Sequence, residues 1–137
     1  MPDLQQIAHA IAEYLSGSGL DPALREISLD PARPPAAHPH LRITPQEELR
    51  QSPPCTGKAS LTLGIACSAG RPEDALAAAL GLAQSVAQKL RLSHGLGGLL
   101  GAVSVSAVRQ GSQEAGEAGC LGWAELDVET FSRDEQA

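Results

Sequence analysis

Aromatic residues are nearly missing from this sequence: 137 residues hold one tryptophan, one tyrosine and one phenylalanine. The 42% hydrophobic share must therefore come from Ala, Leu, Val and Ile, which build a core with little contact area per residue. Such a core is expected to draw part of its stability from neighbouring subunits. Excess positive charge is missing too. Lys and Arg total 10 against 16 Asp and Glu, and the net charge of −6 argues against a general nucleic-acid binder, which needs an electropositive footprint. It gives no reason to expect an anionic membrane as partner. A paired cysteine framework is also lacking. Cys55, Cys67 and Cys120 are odd in number and widely spaced, fitting neither a disulfide scaffold nor a CxxC metal site. They suit a chain made in a reducing cytoplasm. No apolar run approaches the roughly 18–20 residues of a membrane span. The opening "MPDLQQIAHAIAEYL" has neither the basic n-region nor the continuous apolar stretch of a secretory signal.

What is present has clear periodicity. Leu4, Ile7, Ala8, Ile11, Ala12 and Leu15 recur at helical spacing, with Asp3 and Gln6 placed as a capping box and "SGSG" ending the element. "REISLD" suits a short strand, and Pro31 to Pro39 reads as a loop. A second strand starts near His40, where Leu41 and Ile43 alternate with His40 and Arg42. The polar "TPQEELRQSPPCTGK" is expected to be a projecting hairpin tip. "KASLTLGIACS" then alternates Ala59, Leu61, Leu63, Ile65 and Cys67 with smaller or polar neighbours, as a half-buried strand does.

Pro72 marks the start of a second helix, with Glu73 and Asp74 in its first turn and Lys89 and Arg91 in its last. That order suits the helix dipole. Leu76, Ala79, Leu80, Ala83, Val86, Ala87 and Leu90 form the expected apolar stripe. Val103, Val105 and Ala107 share one face of a further strand. In the closing strand Ala124, Leu126 and Val128 oppose Trp123, Glu125, Asp127 and Glu129. The expected fold is one α+β domain over residues 1–131, followed by a polar tail over 132–137. Its largely antiparallel sheet has about four to five hairpin-joined strands, with two main helices on one face.

The motifs that suggest chemistry are incomplete. "HGLGGLLGA" follows a helix and precedes a strand, the reverse of a dinucleotide-binding glycine loop, so Gly95, Gly97, Gly98 and Gly101 read as helix-stop and turn residues. Gly57-Lys58 lacks the P-loop glycine five positions earlier, where Ser52 stands, and Ala59 replaces the magnesium-binding Ser or Thr. His38 and His40 flank Pro39 and suit one side of an extended segment. No spacing picks out further metal ligands among His9, His94 and the cysteines. Cys55 has no patterned base partner. No catalytic residue, cofactor or metal is therefore expected. Glu125, Asp127 and Glu129 share one strand face, which is either simply solvated or an electronegative surface that lets a polyanion slide without sticking.

The element order, taken with the proline-rich run into "HPHLRI", the "L-x-L-x-I" strand, the "PEDALAAALGLAQSVAQKL" helix and the closing "GWAELDVET", resembles the tail terminator, or tail completion, proteins of long-tailed bacteriophages and phage-tail-like particles. The resemblance spans about Leu4 to Phe131 and rests on order and spacing. It implies a ring, typically a homo-hexamer, that caps the head-proximal end of the tail tube, stops tube polymerisation and meets head-completion or connector proteins. It implies a virion protein of the tail or neck, made in the host cytoplasm. DNA would only pass through the lumen, giving Glu125, Asp127 and Glu129 a lumenal role. Loop residues Glu47, Glu48, Arg50 and Lys58, or the edge strands, are the candidate subunit interface. Three other readings are a neighbouring head–tail connector, an adaptor or chaperone binding protein through the Ala- and Leu-rich helices, and a small metal or thiol enzyme using His38, His40 and Cys55.

Overall fold

The structure, a computed structural model, describes residues 4–17, 19–20, 24–30, 32, 37–50, 56–93, 96, 102–114 and 119–133. In chain order the elements are α1 (Leu4–Ser16), β1 (Glu26–Ser28), β2 (His40–Arg50), β3 (Thr56–Ala69), α2 (Pro72–Arg91), β4 (Ala102–Glu114) and β5 (Cys120–Arg133). They build an α+β fold around one five-stranded sheet in the order β1-β2-β3-β5-β4. The β2/β3, β3/β5 and β5/β4 pairs are antiparallel. Among the described residues no helix is long and apolar enough to cross a membrane.

Side-chain alternation sorts the sheet into two faces. One carries Leu41 and Ile43 of β2, Leu61, Leu63 and Ile65 of β3, and Ala124, Leu126 and Val128 of β5, all buried. Ile7, Ala8, Ile11 and Leu15 of α1 and six residues of α2 complete the same core. Each fully buried Leu, Ile or Val there contributes about 1.5–3 kcal/mol relative to exposure. The two helices are tied by the Tyr14 hydroxyl, which donates to the Lys89 carbonyl at 2.9 Å. Arg91 Nη2 donates to the Val105 carbonyl at 2.9 Å and fixes the end of α2 over β4. At its other end α2 lies so close to β5 that a Cβ on Gly122 would sit 2.1 Å from the Ala75 carbonyl.

The helices, the buried face of β3 and the alternation of β5 agree with the sequence-based expectation. Four details differ. β1 pairs with β2 in parallel, not through a hairpin: Glu26, Ile27 and Ser28 stand opposite His40, Leu41 and Arg42. The polar segment expected as a hairpin tip is mostly strand: β2 runs on to Arg50 and β3 starts at Thr56, leaving only 51–55 outside the described residues. On α2 the buried positions are Ala75, Ala79, Leu82, Ala83, Val86, Ala87 and Leu90, whereas Leu76 and Leu80 are only half-buried. The stripe is rotated because a helix with Ala or Leu on nearly every side offers little polar contrast. Finally, Ala107 is exposed, unlike Val105, because a register shift between Ala107 and Arg109 turns the edge strand outward there.

Candidate functional site

Both helices occupy one face of the sheet, and the opposite face presents polar and charged side chains in cross-strand rows. The first row reads His40, Ala66, Trp123, Gly111 across β2, β3, β5 and β4. Next come Arg42, Gly64, Glu125 and Arg109, and then Thr44, Thr62, Asp127 and Ser106. Small residues at 64 and 66 leave a floor between taller walls. The result is a hollow of about 400 Å³ bordered by His40, Arg42, Thr62, Trp123, Arg109 and Glu125.

The row positions explain the contacts. Gly111 lies against the Trp123 indole, where a Cβ would approach the ring to 2.7 Å, so the sole tryptophan packs close on β4. Arg109 grips Glu125 with two nitrogens: Nη2 donates to Oε1 and Oε2 at 3.0 and 2.9 Å, and Nε donates to Oε2 at 3.2 Å. Arg109 is 68% exposed and Glu125 25%, so water screens the pair and its stabilisation is about 0.5–1 kcal/mol. One row up, the Thr62 hydroxyl, a neutral partner, donates to Asp127 Oδ1 at 3.4 Å. Glu129 follows beyond Asp127, and both border a second hollow of about 260 Å³ with Ser60 and Thr62.

His40 is buried, with Nδ1 2.7 Å from Glu26 Oε1, so the pair links β1 to β2 beneath this face. Burial lowers its pKa, outweighing the pull of the Glu26 carboxylate in the opposite direction, so the ring is neutral near pH 7.

Glu125, Asp127 and Glu129 therefore do share the exposed sheet face, but their surroundings differ. Glu125 is charge-compensated by Arg109. Glu47, Glu48, Arg50 and Lys58 stand on β2 and β3, not on a loop, and their side chains lie outside the described residues. His38 and His40 meet edge to face with ring centroids 6.5 Å apart. Among the described residues, no group of three or more His, Cys, Asp or Glu is placed to hold a metal ion. His9 lies exposed on α1, whereas Cys55, His94, Gly95, Gly97, Gly98 and Gly101 fall outside the described residues. Cys67 is buried and its thiol pKa is pushed up by that burial, the opposite of nucleophile activation. Arg42, Arg109 and the Glu26–His40 pair were not singled out by sequence. Arg42 alternates with buried Leu41 and Ile43, a signal that could have placed it on this face. The chain matches no protein-family model and no curated protein.

Proposed function

We propose that this chain is a structural virion-assembly protein of the tail-terminator kind, forming a ring that caps the head-proximal end of a phage tail tube and joins it to the head. The observation that carries this reading is the α+β order helix, three strands, helix, two strands. The same order and the same strand and helix segments underlie the resemblance to tail terminators. Both helices pack on one sheet face, and the other face remains available to line a lumen. The negative charge of Asp127 and its neighbours supports passage of DNA, because like charge prevents a polyanion from adhering to the wall. In this role the protein acts by contact with its own copies, the tube protein and a connector, and needs no catalytic residue.

Light-scattering mass beside negative-stain imaging tests this with the concentrated full-length protein in magnesium. Rings with a central hole, at a multiple of 14.1 kDa, are the expected result. A monomer that stays free when mixed with sheared tail tubes, and leaves their ends uncapped, would overturn it.

A further inference from the structure

A closed ring needs a heterologous contact, one surface of each subunit meeting a different surface of the next. The two outer edges of the sheet supply such a pair, an inference that rests on the ring reading above. β4 forms one edge, and nothing among the described residues pairs with its outer side. At the opposite edge β1 covers β2 only from His40 to Arg42, so β2 continues from Ile43 to Arg50 without a described outer partner.

These two uncovered stretches lie at the same height. Ile43 shares a row with Leu63, Leu126 and Ala107, and Leu49 shares one with Lys58, Phe131 and Ala102. Below those rows both edges are altered, by β1 on one side and by the Ala107/Arg109 register shift on the other. Three successive antiparallel pairings separate β2 from β4, so the two strands run in opposite directions. Laying β2 of one copy beside β4 of the next therefore continues the antiparallel alternation. Because the stretches are level, the contact introduces no offset along the strands. A heterologous contact makes a ring where its rotation closes and an open filament where it does not, and a level contact adds no rise that would prevent closure.

Composition favours the same match. Ala102–Ala107 reads "AVSVSA", without the proline or charge that normally guards an exposed edge. The β2 stretch holds Pro45, a register shift between Pro45 and Glu47, and the acids Glu47 and Glu48. A second β2 edge would bring two more acids to the contact, whereas Ala102–Ala107 carries no charge. We propose that Ile43–Arg50 of one copy pairs antiparallel with Ala102–Ala107 of a second copy, making a single sheet continuous from subunit to subunit.

Thiol cross-linking tests the register. In full-length protein carrying Cys55→Ser, Thr44→Cys and Ser106→Cys fall in one row, and Glu47→Cys with Ser104→Cys fall in another. Treatment with a short bis-maleimide should give a ladder of multiples on a denaturing gel for each double variant, and only monomer for each single one. Either pair suffices should the other fail to fold. A dimer from Ser106→Cys or Ser104→Cys alone would mean β4 pairs with β4, which overturns the inference. Rings in the microscope without a ladder would also overturn it while leaving the ring reading in place. A ladder accompanied by open filaments would retain the edge pairing and remove the ring. The absence of both would overturn both.

Discussion

Two glycines on neighbouring strands set opposite limits on what this sheet tolerates. A methyl group at Gly122 would overlap the Ala75 carbonyl and the Leu76 nitrogen, which are helix backbone and have nowhere to move without shifting α2. Gly64, on the other face, has nothing within 4 Å of the same position. Gly122→Ala is therefore expected to cost about 3 kcal/mol, at the upper end of overpacking. Gly64→Ala should gain about 0.5 kcal/mol, because alanine loses less backbone freedom in a strand. Urea melts of both variants check this, and equal effects would mean that α2 does not lie against β5 as described. Residue by residue, sequence reading reached the acids of β5 but missed the partner of Glu125. Arg109 has the parity of Val103 and Val105, which points it into the core. Only the register shift between Ala107 and Arg109, which leaves Val108 48% exposed, carries Arg109 onto the open face. A bulge is set by pairing with another strand and leaves no local periodic signal.

The elements best read from sequence are those whose buried and solvated sides differ most. From Ala59 to Cys67 in β3 and from Cys120 to Thr130 in β5 every second residue is buried, so burial writes itself as alternation; α2 has a proline in its first turn and a charge gradient as well. The outer half of β2 has no such contrast and reads as polar loop. β1 is legible as a short strand in "REISLD", but its parallel pairing with β2 is not, because that depends on contacts no local pattern encodes. Its attachment has a titratable part, because Glu26 and His40 join it to β2. The folded state holds His40 below its ordinary pKa of about 6.5, so the unfolded chain takes up the proton first. The stability that neutral His40 confers is present above that ordinary value and is lost as pH falls from about 6.5 toward the lowered folded value. Amide exchange of Ile27 and Leu41 should accelerate relative to the α2 core between pH 7 and pH 5, after correction for intrinsic rates. His40→Gln should flatten that dependence. An unchanged pH dependence in His40→Gln would place the sensitivity in another group.

At the scale of the whole molecule, a net charge of −6 is unevenly useful to a ring that conducts DNA, because only charge facing the lumen acts on the passing strand. Glu125 contributes little there, since Arg109 holds its carboxylate, and Glu125→Lys would set two cations side by side. Asp127 and Glu129 are the other acids of this face, further along the same strand. Replacing both by Lys changes the charge of each subunit by about four units while altering a polar face, so stability should remain within about 1 kcal/mol of the parent. Six-fold repetition would multiply the change around one narrow passage. Assembled particles carrying Asp127→Lys and Glu129→Lys should therefore retain normal tail length, which depends on the ring closing, yet eject DNA more slowly. The delay should shrink as salt rises, because screening weakens the new attraction. Normal tail length with ejection unchanged at low salt would turn this face away from the lumen. It would leave the edge-to-edge contact to be judged by its own cross-links.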